Sequence, residues 1–150
     1  MSLEWQGQEY SVLPRGGVYD LVSAAQSSVD NETRLRAVAA LGKSGDPRAV
    51  RPVADLLNDA DPEIRRASAI ALGLLRSGRP VDDLLARLRD PNEHAAIREQ
   101  AAVALAAIRS TGAVRGLREF ITEGNEDSAL RTRTESLLKD IGAEQGSAGP

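Results

Sequence analysis

The chain has 150 residues, enough for one domain, and only 3% of them are aromatic, so Ala, Leu, Val and Ile carry the hydrophobicity and a large ligand cavity is not expected. Its 19 basic and 22 acidic side chains leave a formal net charge of −3, and the near balance excludes recruitment of nucleic acid or anionic membrane by bulk charge. Cysteine is absent, which removes disulfides, thiolate catalysis and cysteine-ligated metal centres and makes a cytoplasmic location the expectation.

Residues 1–16 form an N-terminal extension outside the pattern that follows, closing on the breaker cluster Pro14-Arg15-Gly16-Gly17. It holds Trp5 and Tyr10, which either cover the first apolar face of the domain, are offered to a partner as a short motif, or stay disordered. Met1 to Gln8 has no basic stretch, and the longest apolar run, Ala101 to Ile108, is far short of the ~20 residues that span a bilayer, so neither signal peptide nor membrane anchor is expected.

From Gly17 a segment recurs: Thr33-Arg34 to Leu41-Gly42, Ile64-Arg65 to Leu72-Gly73, Ile97-Arg98 to Leu105-Ala106 and, degenerately, Leu130-Arg131 to Leu137-Leu138. The spacing, 33 to 64 to 97 to 130, is that of a stacked solenoid. Val50, Val53 and Leu57, then Ile64, Ala67, Ser68, Ala71, Leu72 and Leu75, follow helical spacing and give two helices per repeat. Asp46-Pro47, Asp61-Pro62 and Asp90-Pro91 read as helix starts, while Gly45, Gly78 and Gly112 read as stops. The prediction is a domain over 17–141 made of four helical hairpins, 17–44, 46–77, 79–110 and 112–141, with a disordered tail over 142–150. The third repeat carries an extra turn with Glu93 and His94 that should protrude, and the polar last helix should act as an end cap.

Gly45-Asp46-Pro47-Arg48-Ala49-Val50 and Ile64-Arg65-Arg66-Ala67-Ser68-Ala69-Ile70-Ala71-Leu72-Gly73 resemble HEAT repeats, of the short subclass found in phycobilin lyases. The resemblance covers about 17–141 and is weakest in the fourth repeat, where Thr134 and Glu135 replace alanines. It implies an all-α fold, a right-handed α-α superhelix with the second helices lining the concave face. It implies no single function, since HEAT arrays include scaffolds, adaptors, lyase subunits and enzymes.

Catalytic chemistry is hard to find. HEAT-like di-iron hydroxylases use repeated His-Glu pairs, whereas this chain has His94 alone. Asp59, Asp61 and Glu63 lack the glycine and distant glutamate of a calcium loop, and neither a Ser-His arrangement nor a phosphate loop occurs. Neither cofactor nor metal is expected, and the chain is expected not to be an enzyme. Arg34, Arg65, Arg98 and Arg131 share one repeat position. The resemblance implies that they bond acidic turn residues of an adjacent repeat, with Asp59, Asp61 and Asp90 as candidates; a ladder that binds an acidic ligand is the alternative reading.

The remaining candidate is surface. If Ile64, Ser68, Ala71, Leu72 and Leu75 face inward, Leu35, Val38, Ile70 and Val103 form an apolar strip on the concave wall, flanked by Arg66 and Glu99. That strip either receives a helix or peptide of another protein or is partly covered by neighbouring helices. The expected function is therefore a protein-interaction scaffold, with no nucleic-acid or membrane partner and the oligomeric state open. An enzyme subunit acting with a second HEAT-like chain is the alternative. Nucleic-acid binding through Arg48, Arg51, Arg79, Arg115 and Arg118 is the third, with acidic residues interrupting that row.

Overall fold

The computed structural model describes residues 17–124 and 127–147, and every element in them is helical. The extension 1–16, with Trp5 and Tyr10, lies outside the described residues. Helices α1 (Gly17–Ser27) and α2 (Asn31–Ser44) form the first hairpin. In the second, the 3-10 turns Pro47–Ala49 and Leu56–Asn58 flank the short α3 (Val50–Asp55) before α4 (Pro62–Leu75). Then follow α5 (Val81–Arg89) with α6 (Ala95–Ile108), and α7 (Thr111–Thr122) with α8 (Ser128–Ser147). The stack is a right-handed superhelix in which α2 packs on α4, α4 on α6 and α6 on α8.

Local chemistry explains most boundaries. Asp30, Asp46 and Asp61 each take extended backbone and accept from the N–H two residues on, at 3.2, 2.9 and 2.8 Å, satisfying donors that a helix start leaves open. The core runs through all four repeats. One repeat position, Ala37, Ser68, Ala101 and Thr134, is fully buried throughout; the two hydroxyls there donate to the carbonyls of Ile64 and Leu130, at 2.7 and 2.8 Å, so no polar group is stranded. Small residues set the helix spacing: a Cβ added at Gly42 would lie 2.8 Å from Ala71 Cα, closer than packing allows.

Several boundaries differ from the sequence-based expectation. Gly45 does close α2 in the left-handed region, at φ 66°. The same position in the next two repeats is Arg76 (φ 56°) and Arg109 (φ 59°), not Gly78 or Gly112; Gly112 lies inside α7. Asp90-Pro91 starts no helix. Asp90 ends α5 and accepts from Asn92 N–H at 2.9 Å, and α6 begins only at Ala95, so the extra residues form a turn. Of the disordered tail expected over 142–150, the residues through Ser147 belong to α8, in which Glu144 reaches back to pair with Arg109, and 148–150 lie outside the described residues.

Candidate functional site

At the N-terminal ends of the second helices three of the four shared arginines are consumed by structure. Arg34 donates through Nε to the Ala25 carbonyl at 2.8 Å and through its other nitrogens to Asp59 of the next repeat. Arg65 donates to the Asp59 and Ala60 carbonyls, and forks onto Glu93 at 2.9 and 3.0 Å. Arg98 donates to the Leu88 carbonyl at 2.8 Å. Arg131 is exposed, 3.6 Å from Glu135 on its own helix.

Glu93, placed by the sequence on a protruding turn, is the hub of this end. Its side chain is 1% exposed and receives Arg65, Arg87 Nη1 at 3.2 Å and the His94 N–H at 2.9 Å. Burial pushes its carboxyl up, but the hydrogen bonds from Arg65 and His94 outweigh burial and hold it at about 2. Asp59 is likewise raised by burial and lowered more by Arg34 and the Asp61 N–H, ending below its ordinary value. Asp61 caps α4, and Asp90 sits 3.6 Å from Arg87, so of the acids expected to serve the arginines only Asp59 does. A signal for Glu93 existed: Asp59 lies five residues before Ile64 and Glu93 four before Ile97, so the acid is found by counting back from the following helix.

The opposite surface of the second helices carries the expected strip, in altered form. Ile70 is exposed at 37%, Arg66 is exposed, and Leu35, Glu99 and Val103 are half-buried. Val38, at 0%, is core and drops out. The reason is register. Val38 aligns with Ala69 and Ala102, the column pressed between neighbouring second helices, whereas Ile70 aligns with Ala39 and Val103. Leu74, one turn beyond Ile70 and 55% exposed, was missed.

Ile70, Leu74, Gln100, Val103 and Ala107 line a furrow of about 320 Å³ with Arg76 at its end. A second furrow of about 480 Å³ continues it past Arg76, Val103 and Ala107 to Arg109, Leu137, Asp140 and Glu144 on α8. Both are open surfaces rather than enclosed pockets; the first is mainly apolar, suited to shape and apolar contact, and the second is mainly polar, lined by Arg76, Arg109, Asp140 and Glu144.

On the first helices and the turns that lead into them, Arg48 pairs with Asp46 at 2.7 Å and lies over the Tyr19 ring, Arg51 reaches Asp83 at 3.2 Å, and Arg79 reaches the Pro47 carbonyl at 3.5 Å. Arg115 and Arg118 are exposed. A His-rich metal centre does not fit these residues: His94 is the one histidine, and the Glu93 carboxylate beside it is already held by two arginines. Among the described residues no helix is long and apolar enough to cross a membrane.

The model of HEAT repeats matches twice, over 18–95 and 56–139, so that the paired-helix architecture and the family pattern coincide over most of the chain. The chain belongs to the HEAT-repeat family. Among solved structures it is similar to human deoxyhypusine hydroxylase in complex with glycerol, at 25% identity and TM-score 0.72 over 81% of this chain. It is also similar to the complex of CpcE and CpcF of phycocyanin lyase from Nostoc sp. PCC7120, at 23% identity and TM-score 0.65 over 91%. The chain spans 42% and 57% of the length of those two chains. No curated protein matches it in sequence. These likenesses correct the expectation that the chain is not an enzyme: the HEAT stack it shares is that of a hydroxylase and of lyase subunits. A missing motif therefore does not assign a HEAT chain to either class.

Proposed function

We propose that this HEAT chain binds a helix or extended segment of another protein on its concave face, with Ile70, Leu74 and Val103 as apolar anchors and Arg66 and Glu99 at the rim. The observation that carries this is the pair Ile70 and Leu74, exposed large aliphatic side chains one helical turn apart, both opening into the same furrow. Leu35 lies on the same face but half-buried, at the edge of the contact. The cysteine-free composition supports a cytoplasmic setting. The test immobilises the wild type beside an Ile70→Asp, Val103→Asp variant shown by circular dichroism to be folded. A protein retained by the first and lost by the second supports the reading; equal retention, or none, overturns it.

A second reading, a subunit of an enzyme assembled with another HEAT-like chain, is favoured by the likeness to the two-chain phycocyanin lyase. It requires co-purification with such a chain and a tetrapyrrole absorbance band on the complex; a pure heterodimer without the band would count against it.

A further inference from the structure

We propose that Arg76 is the specificity residue of the concave face, reading a carboxylate, so that the occupant is an acidic amphipathic segment of a partner protein. This rests on the concave-face reading above. Arg76 takes the left-handed conformation at φ 56°, which glycine adopts freely and which L side chains disfavour. The equivalent residue of the first repeat is Gly45, at φ 66°. An arginine stands there at a backbone cost that glycine avoids, and its guanidinium ends the apolar furrow as the one charged group lining it.

The molecule contains its own template for what that guanidinium recognises. Arg109 has the same position and conformation one repeat later, and it pairs with Glu144. The pairing exists because α8 runs straight on to Ser147, past the level at which α6 turns off at Arg109. One repeat earlier the place of Glu144 falls on Thr111, which carries no charge, and among the described residues no acid pairs with Arg76, although Asp140 and Glu144 line the far part of the second furrow. A partner carboxylate completes at Arg76 the pair that Glu144 completes at Arg109.

The charges around the furrow agree. On the row of Leu74 and Ala107, the first repeat has Lys43 and the fourth has Asp140. On the row of Ile70 the flanks are Ala39 and Ser136, and Arg66 is exposed at the rim. The apolar patch thus lies between a basic side toward α2 and an acidic side toward α8, which orients an acidic segment with its carboxylates over α4. Aliphatic side chains one turn apart on that segment would cover Ile70, Leu74 and Val103.

The competing account is that Arg76 only complements the negative end of the α4 dipole. The two differ in sign for Arg76→Gly. Glycine relieves the left-handed strain, so a recognition residue predicts a melting temperature unchanged or raised by about 2 to 4 °C, whereas a structural cap predicts a fall. For binding, the probe is a yeast-displayed library of random 16-residue peptides sorted against the full chain and counter-sorted against folded Ile70→Asp. The expected winners carry Asp or Glu at a fixed spacing from Leu or Ile. They bind Arg76→Gly at least about tenfold more weakly, and Arg76→Glu more weakly still. Winners that need Ile70 but carry no acid, or ignore Arg76→Gly, overturn this inference and leave the concave-face reading standing. A lowered melting temperature for Arg76→Gly also overturns it, and no winner sensitive to Ile70→Asp overturns both.

Discussion

The two ends of the second helices use arginine in opposite ways. At the N-terminal end, Arg34 and Arg65 are half-buried, forked onto acids of the next repeat and bonded to carbonyls of their own, so that they join one hairpin to another. At the C-terminal end, Arg76 and Arg109 are exposed and sit in left-handed backbone; Arg76 lines the apolar furrow, and both line its polar continuation. The same side chain is structural where the fold surrounds it with acceptors, as at Arg34 and Arg65, and available where it does not, as at Arg76; Arg109, paired with Glu144 in solvent, stands between the two. Burial and partner supply decide its role, more than its place in a repeat.

If the N-terminal end is a fastening, Glu93 is its largest single element. Glu93→Ala leaves Arg65 and Arg87 at a half-buried site without their shared carboxylate, and a loss of ~3 to 5 kcal/mol in urea unfolding is expected. A loss below ~1 kcal/mol would make this end no more cohesive than the other. Acid should act on the same group. The carboxyl sits at about 2 against an ordinary 4.5, a depressed value, so its contribution is complete above about 4.5 and is lost as pH falls toward 2. That loss is on the order of 3 kcal/mol, joined in direction by Asp59. Glu93→Gln should flatten the pH dependence in this window, and an unchanged slope would assign acid sensitivity elsewhere.

Gly42→Ala tests the spacing between α2 and α4 rather than either end. Its Cβ meets Ala71 backbone, which cannot rotate away, and a cost of about 1 to 3 kcal/mol by thermal melting is expected. The smallest effect belongs to the open face: Ile70→Asp should cost no more than about 1 kcal/mol, because more than a third of the residue is already in solvent. A large destabilisation would instead place Ile70 in the core and remove the furrow as a site.

How much of this was legible varies with the range of the interaction. Helix α4 was readable because its determinants are local: Asp61 accepts from Glu63 N–H, Pro62 needs no donor, and Ile64, Ala71 and Leu72 recur on one stripe. The strip was half readable. A helix with neighbours on both flanks keeps only a narrow exposed column, and one step around it separates Ile70 from buried Ala69 and, by register, Val38 from exposed Ala39. Periodicity has no resolution at that scale. Glu93 was misplaced because its burial depends on Arg65, 28 residues earlier. Arg76 was overlooked because Gly78 two residues on carries the usual stop signal.

The Glu93 cluster also bears on how the molecule would yield under load. In a solenoid each hairpin touches only its neighbours, so tension applied at the termini travels through the stack one interface at a time. The interface between the second and third hairpins is fastened by a buried carboxylate gripped from both sides, while the link from Arg109 to Glu144 near the last helix is exposed to solvent. Pulled from its ends, the chain should peel from the outside inward, with the central pair of hairpins the last to part.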